Sequence, residues 1–141
     1  MMQVPLFFVS IITSTSLMIF NIGINGMYVN RTFLNLPLSL LDSNIVEETK
    51  EGEEDTNNKY YYFNKETLNN DVKTYLSMNL KNRVDSYKIS FKYFNYVDNK
   101  VTEDENKPNA IQIHFISTYY MNFKVDSHLS FYINNGVIIN E

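Results

Sequence analysis

The sequence contains no cysteine. That absence excludes disulfide frameworks, cysteine nucleophiles, thiolate zinc sites and iron–sulfur clusters. Histidine occurs twice, at His114 and His128, too few for a His-rich metal site. Glycine occurs four times and never as G-x-G-x-x-G, so no glycine-rich phosphate loop can form. Basic residues number 12 against 16 acids, for a net charge of −4. A protein that grips nucleic acid through its phosphates needs the opposite balance, and no nucleic-acid partner is expected. No serine stands in a nucleophile elbow, and the acidic pairs fall in loops rather than on facing scaffold positions. With no convergent polar set, the chain reads as non-enzymatic: no catalytic residue, no cofactor and no metal. Alanine occurs once, at Ala110, whereas asparagine occurs 20 times. A bias toward Asn, Lys, Ile, Tyr and Phe is what AT-rich coding produces, so no single Asn carries much weight.

What remains is enough to fold. Over 141 residues the chain is 44% hydrophobic and 15% aromatic. That composition supports one globular domain with flanking segments and argues against wholesale disorder.

Charge is absent from residues 1–30, and Arg31 is the first charged side chain. Val4 to Val29 reads VPLFFVSIITSTSLMIFNIGINGMYV. As a helix its length is about 39 Å at roughly 1.5 Å per residue, longer than the ~30 Å hydrocarbon core. A signal peptide would have a basic n-region, a shorter apolar centre and small residues before its cut; Ile24 sits two before Gly26. A buried core helix is the third reading. The simplest is a single-pass membrane anchor over residues 1–31. Arg31 biases the C-terminus weakly inward, but an acidic segment crosses readily, so the head is expected outside the cell.

Ser10, Ser14, Asn21 and Asn25 follow steps of four, seven and four and share one helix face. Such a stripe is a means of helix–helix association in lipid, with bonding of Ser back to its own helix as the plainer alternative. Membrane lipid and other transmembrane helices or envelope proteins are the expected partners.

Residues 32–58 read as a juxtamembrane helix, kinked at Pro37 and running to 46, then a flexible acidic linker EETKEGEEDTNN. The linker lacks the alternating acids and closing Glu of a calcium loop. Residues 59–141 read as an α+β head. Asn64 is a helix N-cap with Glu66 in the first turn, and Leu68, Val72, Leu76 and Leu80 form a helical stripe over 65–84. Asn69 lies on the opposite face. The period then switches to two. Tyr87, Ile89, Phe91 and Tyr93 share a strand face; Ile111, Ile113, Phe115, Ser117 and Tyr119 form a second; Phe123, Val125, Leu129, Phe131 and Ile133 form a third. Residues 98–109 read as a polar loop. Asn135-Gly136 is a hairpin turn pair that brings back 137–139 as a short closing strand. The expected fold is one helix on a three- to four-stranded antiparallel meander.

On the sheet face away from the helix, His114 and His128 read as exposed strand histidines with no carboxylate spaced to orient either. Phe94, Tyr96, Tyr120 and Tyr132 share that face, with Tyr61 a further candidate, and read as a protein-contact patch.

One long apolar helix, a Pro-kinked extension and a helix-plus-meander head resemble the plan of pilin-like or pseudopilin proteins. Small envelope proteins encoded beside Tad-type pilus systems in low-GC Gram-positive bacteria are similar in outline. The resemblance implies a structural or assembly role at the membrane, with the apolar helices packed in a bundle. The alternative is a tethered small-ligand module, cystatin-like or nuclear-transport-factor-like. That reading requires a gap among Leu76, Leu80, Phe91 and Phe115, whereas a packed interior favours the assembly role.

Overall fold

Helix α1 runs without interruption from Gln3 to Leu34, about 48 Å at roughly 1.5 Å per residue. Pro5 falls in its first turn, where a missing N–H costs nothing. The computed structural model describes residues 3–49, 59–102, 106–119 and 122–140. The two halves of α1 have different surroundings. Side chains from Pro5 to Asn21 face outward, apart from a half-covered Met18. From Ile22 onward one face is buried: Ile22, Gly26, Val29 and Phe33, at steps of four, three and four. Phe33 stacks on Phe115 with ring centroids 4.9 Å apart. Asn30 Oδ1 accepts a 2.5 Å hydrogen bond from the Ser127 hydroxyl. The core thus includes Val29, Phe33, Leu36 and Leu41, from the stretch read as anchor and juxtamembrane extension.

The chain breaks at Asn35–Pro37, because Pro37 cannot continue the hydrogen-bond ladder. A short helix α2 follows, Leu38–Asp42. Residues 45–49 are then a strand, β1 (Ile45–Thr49), rather than the end of a helix and the start of a linker. It pairs antiparallel with β2 (Lys59–Phe63) in a two-stranded sheet. The reason is local: β-branched Ile45 and Val46 face Phe63 and Tyr62 of the aromatic run, and Thr49 closes the pairing opposite Lys59.

Helix α3 spans Lys65–Asn79, capped by the Asn64 side chain accepting from the Thr67 N–H. It stops short of residue 84. Asn79 bonds back to the Tyr75 carbonyl and Asn82 takes φ 62°, a left-handed turn that Asn tolerates. Leu68, Val72, Leu76 and Leu80 are buried as a stripe. Asn44 joins α2 to α3, donating to the Leu40 carbonyl and, at 2.8 Å, to Asp71 Oδ2.

The main sheet has five strands, larger than the three or four expected: β3 (Ser86–Val97), β4 (Lys100–Thr102), β5 (Ala110–Tyr119), β6 (Phe123–Asn134) and β7 (Val137–Asn140). Their spatial order is β4-β3-β5-β6-β7. The extra strand arises because Asp98 and Asn99 both take positive φ, 53° and 59°, and fold the presumed loop into a two-residue hairpin. Asn135 and Gly136, at φ 50° and 79°, make the expected turn into β7. The fold is α+β: an N-terminal apolar helix, then helices covering one face of an antiparallel sheet.

Contacts along α1 define the direction of the head. Gly26 abuts Tyr119 at the end of β5, Asn30 meets Ser127, and Phe33 reaches Phe115. α1 therefore climbs the sheet from the β5–β6 turn, while α3 descends to Asn79, whose carbonyl accepts from the Tyr28 hydroxyl. The end of the head where α1 enters is called the base below.

Candidate functional site

The strand register sorts the uncovered sheet face into cross-strand rows. Farthest from the base, Phe94 pairs with Ala110 and Ala110 with Tyr132. Ala110 ends at its Cβ, so a dip of about 180 Å³ opens between the two aromatic side chains, bordered also by Tyr96 and Val101. The Tyr96 and Tyr132 rings lie 5.1 Å apart. Asn109 pins Tyr96, accepting from its N–H at 2.6 Å and donating to its carbonyl at 2.7 Å. Of the aromatic patch read from sequence, Phe94, Tyr96 and Tyr132 come together here. Tyr120 lies outside the described residues. Tyr61 does not join them; it packs against Gly136 and the core.

Two rows nearer the base the same face is polar. Ser90, His114 and His128 are successive cross-strand partners, and with Lys92 and Gln112 they line a second dip of about 210 Å³. Contrary to expectation, His114 has a carboxylate: its Nε2 lies 2.7 Å from Asp126 Oδ1. Asp126 is two residues before His128, the direct partner of His114, so the pair is a diagonal neighbour across two strands. Spacing along the chain hides this contact, and only the β5–β6 register reveals it. Among the described residues, no three metal-ligating side chains converge.

The helix stripe divides at the head. Ser10, Ser14 and Asn21 lie on the exposed half of α1. The Ser14 hydroxyl donates back to the Ser10 carbonyl at 2.8 Å. An open hollow of about 470 Å³ runs along this side past Ser14, Met18, Asn21 and Asn25. Asn25 is engaged elsewhere: its amide donates to the Arg83 carbonyl at 2.9 Å and ties α1 to the turn after α3. Arg83 stacks over the Tyr28 ring, 4.5 Å from its centroid.

A polar clasp that sequence reading missed holds the β1–β2 hairpin to the segment before β5. Lys107 Nζ contacts Glu48 Oε2 and the Tyr60 hydroxyl, each at 2.5 Å. Tyr62 donates to Glu48 Oε1 at 2.9 Å, and Tyr60 donates to Oε2. The Lys107 ammonium and the two phenols hold the Glu48 carboxyl down at about 2, from an ordinary 4.5. The same bonds push the Lys107 ammonium up. Glu48 reads in sequence as part of an acidic linker, and only the pairing of Glu48 with Tyr60 exposes its role.

Asn69, expected on a neutral outer face, accepts a 2.6 Å hydrogen bond from the Tyr93 hydroxyl. Burial pushes the Tyr93 phenol up, so it stays a donor. Of the four positions among which a ligand module would need a gap, Leu76, Leu80 and Phe115 are buried and Phe91 is half-buried. No protein-family model, curated protein or solved structure matches the chain significantly.

Proposed function

We propose that this protein is a single-pass, membrane-anchored, non-enzymatic envelope component with a structural or assembly role, pilin-like in plan, its head presented outside the cell for protein contacts. The observation that carries the reading is the continuity of α1. One helix, apolar and long enough to cross a bilayer, is exposed over Pro5–Asn21 and becomes the central packing element of the head from Ile22. A head fused to its anchor in this way is positioned by the membrane rather than tethered loosely to it. Ser10, Ser14 and Asn21 supply hydrogen-bonding groups on the free half for neighbouring helices. The Phe94–Tyr96–Tyr132 shelf supplies an aromatic contact surface on the head. The full burial of Leu76 and Phe115 supports this reading over a ligand module enclosed between helix and sheet.

Membrane fractionation tests the anchor. The full chain should stay with membranes after a carbonate wash, and its recovery as a soluble protein overturns the reading. Crosslinking in native membranes tests the role. Asn21→Leu should leave membrane retention intact while partner crosslinks fall about 3- to 30-fold, the range for one interhelical polar contact. Tyr132→Ala should separately reduce crosslinks formed from the head. If neither substitution removes a partner, the anchor is a passive tether and the ligand-module reading takes over.

A further inference from the structure

We infer that the base of the head is a lipid-contact surface that rests on a leaflet carrying anionic phospholipid. The inference rests on the proposed membrane span and adds what the head does at the bilayer surface.

Height along α1 is the first argument. The exposed apolar run Pro5–Asn21 covers about 26 Å, and the hydrocarbon core is about 30 Å thick. Its boundary therefore falls within the next turn or two, at Ile22–Tyr28. That is the level at which the head begins. Tyr119 sits on Gly26, Asn25 bonds the Arg83 carbonyl, and Tyr28 lies under Arg83. No stretch of chain separates span from head, so the base meets the bilayer surface.

The chemistry of the base is the second argument. Met78 is 73% exposed and Phe123 48% exposed, the two large apolar side chains left open at this end among the described residues outside α1, whereas Val97, Val101 and Val137 are open at the far end. Around Met78 and Phe123 stand the exposed cations Lys81, Arg83 and Lys124 with the acid Asp85, and the next row of the sheet adds one of each sign, Lys88 and Asp126. Apolar tips among cations are what a headgroup layer accepts, the tips entering the acyl boundary and the cations facing phosphate. The opposite end has another character: Glu47 and Glu48 belong to the hairpin held at Lys107, and Asp98 forms the β3–β4 turn. Those acids are matched by cations, Glu47 by Lys59, Glu48 by Lys107 and Asp98 by Lys100 after the turn, so the far end is balanced and the excess of cations lies at the base.

A groove of about 500 Å³ between α1 and α3 repeats the order on a smaller scale. Ile24 and Met27 line its membrane end together with Asn79, and Arg31 and Asn35 line it farther on. Acyl chain and then headgroup is the same sequence of polarity. A protein partner would need no such match between apolar depth and cation height.

Because the chain lacks cysteine, single reporter sites can be placed in the full-length protein. Ile12→Cys, Met78→Cys, Phe123→Cys and Val137→Cys are each labelled with a fluorophore. Each is reconstituted into vesicles of phosphatidylcholine alone or mixed with phosphatidylglycerol, and quenching by spin-labelled lipid is read. Ile12 should be quenched deeply in both lipids. Met78 and Phe123 should be quenched at headgroup depth, more strongly with phosphatidylglycerol, and Val137 at the far turn in neither. Lys81→Gln and Lys124→Gln should each weaken the phosphatidylglycerol preference about fivefold, the factor for one cation at an anionic surface. An unquenched Ile12 overturns the span itself. A quenched Ile12 with Met78 and Phe123 unquenched in both lipids leaves the span and overturns this inference. Equal quenching in both lipids overturns its anionic part. A crosslink from Met78 or Phe123 to a second copy, in place of quenching, assigns the base to self-association instead.

Discussion

At the scale of single residues, Gly26 and Glu48 carry consequences that composition does not suggest. A Cβ at Gly26 would overlap the Tyr119 hydroxyl and come within 2.9 Å of its ring carbon, whereas one at Gly23 meets nothing within 4 Å. Gly26 is therefore a seat for Tyr119, and Gly23 merely a weak helix former. Gly26→Leu should destabilise the head by about 1–3 kcal/mol through overpacking. Adding Tyr119→Ala should recover part of that loss. Gly23→Ala should be neutral or gain up to about 1 kcal/mol from helix propensity. Thermal unfolding of the full chain in detergent measures all three. Glu48 predicts an acid response. Its carboxyl is depressed when folded, so the clasp contributes fully above the ordinary carboxylate value of 4.5 and is lost as pH falls toward about 2. The hairpin should loosen across that window, seen as a change in Tyr60 and Tyr62 ring signals by NMR. In Glu48→Gln the same signals should start from the loosened position and show no such step.

At the scale of elements, α1 is one helix with two surroundings, an exposed apolar half and a half packed into the head. Its exposed half contributes nothing to the core, while its second half supplies Val29 and Phe33. The place of truncation therefore decides the outcome. Removing residues up to Asn21 should leave a folded, soluble head. Removing residues up to Leu34 takes away the stacked partner of Phe115 and uncovers the sheet. That shorter chain should aggregate or fail to fold, since losing a buried Phe alone costs about 3–5 kcal/mol. Circular dichroism and size-exclusion chromatography of the two truncations distinguish the cases. The other helices obey the same logic: α3 keeps its register because Leu68, Val72 and Leu76 face the sheet, and Asn64 fixes its start.

At the scale of the whole molecule, the C-terminal half of α1, α2, α3 and the five-stranded sheet share one core. Unfolding of the head should accordingly be a single transition that carries residues 22–34 with it. Hydrogen exchange of the full chain in detergent micelles checks this. As denaturant rises, amides in 22–34 should lose protection together with those of β5 and β6. Amides of 5–21, bonded within a helix that needs no head, should lose it separately. If 22–34 instead follow 5–21, the helix is a uniform tether and the head folds without it.

Much of this was legible in the residues alone. An uncharged 30-residue stretch predicts one long apolar helix, and period-two runs ending at Asn-Gly predict paired strands, so the α+β class and inward-facing positions such as Ile113 and Leu76 followed from pattern. The Phe94, Tyr96 and Tyr132 grouping followed from the same alternation. Tertiary structure decided what local pattern cannot encode. Apolar side chains look alike whether lipid or a sheet covers them, so only packing showed that α1 changes surroundings at Ile22. Asn and Asp take left-handed turns without a sequence mark that separates turn from loop, so β4 appeared only in the fold. Tertiary packing joined Glu48 to Lys107, 59 positions apart, and strand pairing joined His114 to Asp126, 12 apart, because register is a property of two strands and is written in neither.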